Sequence, residues 1–105
     1  MRKKVAPIDP SVMQASAERA CALLKVLANP DRLLLMCQLS QGEMCVSELE
    51  EQLRIRQPTL SQQLGVLRDN ELVETRREGK RIFYSIASKE AVAVMAVLYD
   101  QFCGE

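Results

Sequence analysis

The spacing of apolar residues in the first half of the chain predicts two long helices. Asp9-Pro10 is a helix start signal, an N-cap residue before a proline at the first helical position. Apolar residues then recur every three or four positions, at Met13, Ala17, Ala20, Leu24 and Leu27. We therefore predict helix one over roughly 10–28. Asn29-Pro30 repeats the start signal for a densely apolar helix two, which we expect to end near Gly42.

Two shorter helices follow. Ser47-Glu48-Leu49-Glu50 fits a capping box, which predicts helix three from Ser47 to about Leu53. Gln57-Pro58 is expected to open helix four. Its leucines share one face, and its polar residues can point elsewhere, as at Thr59, Ser61, Gln62 and Arg68. Such a pair of helices with a short connection indicates a helix-turn-helix.

The last third of the chain predicts a hairpin and a final helix. The segments 72–76 and 81–86 are rich in β-branched and aromatic residues, and they flank a turn at Glu78-Gly79-Lys80. Ser88 can cap a helix over about 89–103. The predicted fold is therefore mainly α with a β-hairpin wing, a winged helix-turn-helix in which the hairpin precedes the fifth helix.

The final helix has no polar face. Every residue from Ala91 to Tyr99 is apolar, and a helix that is apolar all round must be buried all round. A chain of 105 residues is too short to surround a terminal helix, so a second subunit is the expected cover, with helix one helping. We expect a two-fold homodimer that presents two recognition helices to a pseudo-palindromic operator.

Composition narrows the class of protein. At 105 residues and 48% hydrophobic the chain is expected to be one domain over 1–105, with a disordered tail over 1–8 that includes the basic residues near the start. The longest apolar run is far shorter than the roughly 20 residues that span a bilayer, and no signal peptide is evident. The sequence therefore predicts a cytoplasmic protein that does not associate with a membrane. The chain has no histidine, so we expect neither an enzyme nor a cofactor.

The charge distribution points to nucleic acid although the formal net charge is zero. Between Arg54 and Arg81 seven basic residues outnumber four acidic ones, giving +3, and the remainder carries −3. A local positive surface can bind the phosphates of double-stranded DNA, and polar groups on a helix can reach base edges. The predicted DNA contacts lie in helix four and the wing: Arg56, Gln57, Thr59, Ser61, Gln62, Arg68, Arg77, Lys80 and Arg81.

Three segments resemble the ArsR (SmtB/ArsR) family of bacterial repressors: 27–33 (LANPDRL), 60–67 (LSQQLGVL) and 83–86 (FYSI). The resemblance covers nearly the whole chain and implies a dimeric winged-helix repressor. Two positions depart from the family pattern. Gln63 stands where many relatives have histidine in the recognition helix, and Pro58 replaces a small polar residue near its start.

Within that family, Cys37 and Cys103 look like the dithiol pair of the BigR/SqrR branch, which senses persulfides and other reactive sulfur species. The resemblance implies that this repressor releases its operator when the two thiols are bridged by reactive sulfur species or other oxidants. Their sequence separation does not by itself bring them together. Arg32 is a candidate cationic neighbour of Cys37, and a cationic neighbour would favour the reactive thiolate.

Two other regulators stay open as alternatives, a metal(loid)-responsive repressor and a constitutive DNA-binding protein with no inducer. Cys45 lies where metal-sensing relatives carry Cys-Val-Cys, but Ser47 replaces the second thiol, so the set of soft ligands is incomplete and no metal site is predicted. Cys21 is expected to fill a tight apolar space in helix one. A thiol oxidoreductase is disfavoured because the chain lacks Cys-x-x-Cys.

Overall fold

The computed structural model describes residues 7–104, and within that range the chain forms five helices and a three-stranded sheet. Most of the tail predicted over 1–8 lies outside the described residues. The elements in chain order are α1 Pro10–Leu27, α2 Pro30–Leu39, β1 Met44–Cys45, α3 Val46–Leu53, α4 Thr59–Asp69, β2 Val73–Glu78, β3 Arg81–Ile86 and α5 Lys89–Phe102. The predicted class, mainly α with a hairpin before the last helix, is confirmed.

Side-chain caps fix three of the helix starts where the sequence places them. The side chain of Asp9 accepts from the backbone N–H of Ser11 at 2.8 Å. Asn29 Oδ1 caps α2, and Ser88 Oγ accepts from Ala91 N–H at 3.0 Å at the start of α5. Each cap gives a partner to an N–H group that the helix itself cannot satisfy.

Helix α2 ends at Leu39, earlier than the expected end near Gly42. The backbone N–H of Gln41 and that of Gly42 bond to carbonyls only three residues back, so the chain turns out of the helix there. Gly42 then takes a φ of 147°, a conformation that favours glycine.

The start of α3 differs from the predicted capping box at Ser47. The N-cap is Cys45, and the carboxylate of Glu48 accepts from the Cys45 backbone N–H at 3.0 Å. That hydrogen bond lowers the pKa of Glu48. The box shifts by two residues because Cys45 ends a short strand that pairs with β3, so the helix begins directly after the strand.

The sheet is antiparallel in the order β1-β3-β2, with the wing as its longer part. Strand β2 extends to Glu78, beyond the predicted end at 76, because Glu78 pairs with Arg81 across a two-residue turn. Gly79 in that turn has a φ of 63°, which glycine adopts without strain. Strand β1 was not predicted, since two residues carry no readable alternation of apolar and polar positions.

The core lies where α2, α3 and α4 meet, and α5 covers one side of it. Its largest fully buried side chains are mostly leucines: Leu35, Met36, Cys45, Leu49, Leu60, Leu64 and Leu67. None of the helices within residues 7–104 is both long and apolar enough to span a bilayer.

Helix α5 is only half covered within the single chain. Ala91 and Met95 are buried against the core, but Val97 is 59% exposed and Phe102 is 81% exposed. Helix α1 likewise exposes apolar side chains, such as Val12 and Leu24. Exposed apolar side chains concentrated on two neighbouring helices are typical of a surface that associates with another protein.

Candidate nucleic-acid interface and thiol pair

Helix α4 and the residues before it present their polar side chains to solvent. Leu60, Leu64 and Leu67 anchor the helix in the core and thereby fix which side of it faces outward. The predicted contact residues on this segment are exposed except Thr59, which is half-buried: Arg56, Gln57, Thr59, Ser61, Gln62 and Arg68. The structure therefore leaves the polar side of α4 and of the residues before it open to solvent.

Gln57 has a local role that the sequence did not indicate. Helix α4 begins at Thr59, two residues after Gln57, and Pro58 at the N-cap has no side chain that could accept a hydrogen bond. Gln57 Oε1 instead accepts from the backbone N–H of Ser61 at 3.0 Å and from the Ser61 hydroxyl at 2.7 Å. Gln57 therefore acts as the cap, and its amide nitrogen is the group left for a ligand.

Gln57→Ala is expected to lower the free energy of unfolding by about 1 kcal/mol, because losing a side-chain cap leaves a helix N–H without its partner. Gln62→Ala is the matched control, an exposed glutamine on the same helix, and it should change stability by less than about 0.5 kcal/mol. Urea unfolding of both variants measures the difference. Equal effects would contradict the capping role of Gln57.

The wing carries the second group of predicted contacts. Arg77, Lys80 and Arg81 are exposed around the Gly79 turn. Arg77 Nε donates to the Gly79 carbonyl at 3.3 Å, and Arg81 lies opposite Glu78 in the strand register. The three cations thus lie at the tip of the hairpin, where a charged side chain can reach a phosphate.

Arg76, the first residue of the basic run, is held by the protein itself. Its guanidinium donates to both carboxylate oxygens of Glu43 at 2.8 Å and to Glu78 at 2.7 Å, and it lies 4.7 Å from the centre of the Phe83 ring. These carboxylates raise the pKa of Arg76. Arg76 therefore ties the wing to the connection between α2 and β1, an arrangement that no local sequence pattern indicates.

Arg32 does not accompany Cys37, contrary to the prediction. Its guanidinium donates to Gln63 Oε1 at 2.9 Å and to the Val26 carbonyl at 2.6 Å. The arginine turns away because helix α1 ends beside it and offers free carbonyl acceptors. Gln63, one of the two positions where this chain departs from the family pattern, is thus half-buried and engaged with α2.

All four cysteines are free thiols, in different environments. Cys37 is half-buried on α2, and Cys103 is exposed at the C-cap of α5, where its backbone N–H donates to the Tyr99 carbonyl at 2.8 Å. Cys45 is buried. Cys21 is exposed, so its expected place in a tight apolar space is wrong, because α1 has no cover on that side within the single chain.

Cys37, one of the two thiols that the family resemblance pairs, is affected by its burial and by the other thiol. Burial raises the pKa of Cys37 above its ordinary value, and the negative charge of the Cys103 thiolate raises this pKa further. Helices α2 and α5, which carry the two residues, pack against each other. Both effects make Cys37 less nucleophilic than an unperturbed thiol, and the more exposed Cys103 is the more accessible of the two.

The pH dependence of alkylation tests this neighbourhood. Because the Cys103 thiolate disfavours a second negative charge nearby, Cys103→Ser should shift the pH midpoint of Cys37 alkylation to lower pH. Burial remains, so the midpoint should stay above that of an exposed thiol. Iodoacetamide rates resolved by peptide mass spectrometry give the profile, with Cys21→Ser as the control that should change nothing. An unchanged midpoint in Cys103→Ser would show that the thiols are too far apart to interact.

Within the described range, no three histidine, cysteine or acidic side chains come together in a way that could hold a metal ion. Cys45 is sequestered at the start of α3, where its sulfur lies 3.3 Å from Ser47 Oγ. Ser47, which replaces the second thiol of metal-sensing relatives, therefore lies beside Cys45 but offers a hydroxyl group where those relatives have a thiol.

Comparison with known proteins finds matches in both sequence and structure. Residues 29–75 match the bacterial regulatory protein, arsR family. The chain is 55% identical over 91 residues to the biofilm growth-associated repressor of Agrobacterium fabrum, covering 87% of this chain and 78% of that protein. It is 47% identical to the crystal structure of the transcriptional repressor BigR from Xylella fastidiosa, with a TM-score of 0.85 over 93% of this chain and 100% of that one.

A more distant structure has the same architecture. The homodimeric winged helix-turn-helix DNA-binding domain from Mycobacterium bovis is 31% identical, with a TM-score of 0.72 over 90% of this chain and 86% of that chain. The family match includes α2, α3 and α4, the part of the chain that builds the helix-turn-helix and its support. On this fold and these relatives, the chain belongs to the arsR family of bacterial regulatory proteins.

Proposed function

We propose that the chain is a homodimeric transcriptional repressor that binds a pseudo-palindromic operator and releases it when Cys37 and Cys103 are bridged by reactive sulfur species or another oxidant. The observation that carries the DNA-binding part is the exposed polar face of α4, together with the exposed cations at the wing tip. The Agrobacterium and Xylella relatives described above are repressors, which supports repression as the outcome.

The two surfaces supply complementary contacts. Ser61 and Gln62 on α4 can hydrogen-bond base edges in a major groove, where donors and acceptors distinguish the base pairs. Lys80 and Arg81 at the wing tip supply positive charge for phosphates or a minor groove. Since the whole chain is neutral, binding rests on this local charge, and its affinity should fall as salt rises.

The exposed apolar faces of α1 and α5 support a dimer. Val97 and Phe102 on α5 lie in solvent in the single chain, as does Leu24 on α1. Covering such side chains with a second copy contributes roughly 25 cal/mol for each Å² of apolar surface removed from water. A two-fold arrangement also repeats α4 in two symmetry-related copies, which matches the two half-sites of a palindromic operator.

Bridging of the two thiols is an oxidation for which a polysulfide can serve as the oxidant. A thiolate attacks a sulfur atom of a polysulfide and expels hydrogen sulfide, which leaves a persulfide on the first cysteine. The second thiolate then attacks that persulfide and forms a disulfide with loss of hydrogen sulfide, or closes a longer sulfur chain if more sulfur was transferred. Each bridge takes two protons and two electrons from the pair of thiols, and the polysulfide accepts the electrons.

A bridge would couple the thiols to DNA through the helices that carry them. It would tie α2 to the C-terminal end of α5, and α2 packs against α4 while α5 contributes to the proposed dimer surface. If the bridged dimer holds its two α4 helices at a separation that one operator cannot accept, DNA affinity falls. The switch therefore needs only a difference in affinity between two arrangements of the same dimer.

DNA binding by the reduced protein is tested first. Duplexes selected from a random pool should contain two related half-sites, and log affinity should fall linearly with log salt. The selected duplex is then titrated with the protein after treatment with polysulfide, hydrogen peroxide, zinc, cadmium or arsenite. Release by polysulfide or peroxide supports the proposal. Release only by a metal or arsenite would favour the metal-responsive alternative. If none of these treatments releases the DNA, the chain would be a constitutive regulator.

A further inference from the structure

Arg32 joins three helices and has no part in either surface described above. It lies in the first turn of α2, half-buried, and its guanidinium donates in two directions. One side reaches the last turn of α1, with Nε 2.6 Å from the Val26 carbonyl and an Nη 3.4 Å from the Lys25 carbonyl. The other Nη reaches Gln63 Oε1 on α4 at 2.9 Å. One side chain thus touches the end of α1 and the middle of the recognition helix.

The carbonyls at the end of α1 account for the first contact. The last four carbonyls of a helix lack partners within it. The Leu24 carbonyl accepts from Ala28 N–H and the Leu27 carbonyl from Asn29 N–H, so the two between them are those that Arg32 takes. A cation there also meets the negative end of the helix dipole. Ala28 is the C-cap residue of α1, and the Arg32 side chain satisfies the carbonyls that remain.

The contact with Gln63 adds direction to the packing of α4. The buried leucines of α4 fix which of its faces lies outward, but apolar contact is non-directional and still permits small shifts and rotations of the helix against the core. A hydrogen bond from a charged donor is short and directional. The guanidinium donates to α1 and α4 from separate nitrogens held in one plane, whereas a lysine would have a single ammonium nitrogen for both sides. Within residues 7–104 Gln63 Oε1 has no other hydrogen-bond donor.

We propose that Arg32 is a positioning residue, which fixes the orientation of α4 relative to α1 through Gln63 and thereby sets the half-site spacing that the dimer accepts. This rests on the proposed function, in which α1 belongs to the dimer surface and α4 enters DNA. If α1 is held by the partner and α4 is held by α1, the separation of the two α4 helices follows from the Arg32 contacts.

Operators with altered spacing test the inference. The probe is the duplex that the wild-type protein selects from a random pool, rebuilt with one base pair inserted or removed between its half-sites. One base pair turns a half-site by roughly 35° about the DNA axis, since a helical turn takes 10–10.5 base pairs. The wild-type protein should bind the altered duplexes about tenfold more weakly, the effect of losing one good base contact.

Gln63→Leu and Arg32→Lys should each reduce this penalty to about threefold or less, since α4 is then free to adjust, while the half-site sequence preference persists. Gln63→Glu is the discriminating control because it keeps an acceptor for Arg32 and removes the amide N–H. It should retain the spacing penalty although its added negative charge weakens binding to every duplex. Gln41→Leu, at an exposed glutamine outside these contacts, should behave as wild type.

The possible outcomes distinguish a failure of this inference from a failure of the proposed function. If the wild-type protein enriches no duplex with paired half-sites, both the proposed function and the inference are overturned. If it does and Gln63→Leu keeps the full spacing penalty, the inference alone is overturned. Loss of the penalty in Gln63→Glu would assign Gln63 to direct base contact and also overturn it. Thermal melting confirms that each variant is folded, and Gln63→Leu decides the question should Arg32→Lys fail to fold.

Discussion

Cys103→Ser is expected to leave DNA binding intact and to abolish release by polysulfide. The residue is exposed at the C-cap of α5 and is not one of the predicted DNA contacts, so serine should not disturb the unbridged fold. Without it Cys37 can take up a persulfide but has no second thiolate with which to close a bridge. Wild type should lose about 5- to 150-fold in affinity on treatment, the usual range of coupling between two sites, and the variant should lose almost none.

Fluorescence anisotropy with the selected duplex measures this, with Cys21→Ser as the matched control. Cys21 is also exposed in the single chain, but it is not one of the two thiols of the proposed bridge, so a serine of nearly the same size should leave release by polysulfide unchanged. Cys37→Ser should behave as Cys103→Ser does, because a bridge needs both thiols. Normal release by both single variants would refute the role of the pair.

Val97→Lys is expected to convert the protein from dimer to monomer and to lower its DNA affinity by roughly 10²- to 10⁴-fold, the factor by which linking two binding sites raises avidity. Val97 is 59% exposed in the single chain, on the face of α5 assigned to the dimer. A lysine there stays solvated in the monomer, so the fold survives, but in the dimer its charge would be buried without a partner. Sedimentation equilibrium and DNA titration at the same protein concentration measure both effects.

Val97→Ile is the control at the same position. It keeps an apolar side chain, so dimerisation and DNA affinity should remain close to wild type. A Val97→Lys protein that still sediments as a dimer would place the interface elsewhere on the surface. A wild-type protein that is monomeric at micromolar concentration would remove the basis for a two-site operator.

The helix starts were predictable because their signals are local. Asp9, Asn29 and Ser88 each cap the helix that follows them, through an acceptor only two or three residues from its donor. The start of α3 was not predictable from the chain alone. Its N-cap is Cys45 because a two-residue strand pairs with β3, about 40 positions later, and no pattern near Ser47 contains that pairing.

Some features of the candidate site were likewise predictable from local sequence, and others were not. The exposure of Ser61 and Gln62 followed from the leucine spacing of α4, because three buried residues on one face dictate what the other face presents. The contacts of Arg32 with Gln63, and those of Arg76 with Glu43, join residues about 30 positions apart. A long charged side chain can reach many partners, so its choice appears only once the helices are packed.

The most direct test of the proposed switch measures DNA release and thiol bridging in one sample. The protein–DNA complex is titrated with polysulfide, and at each point the bound fraction is read by anisotropy and the protein by intact mass spectrometry. The account predicts that DNA is released in proportion to a species that has lost two hydrogens, with or without added sulfur atoms, and whose bridge maps to Cys37 and Cys103. Complete conversion to that species with the DNA still bound would contradict it.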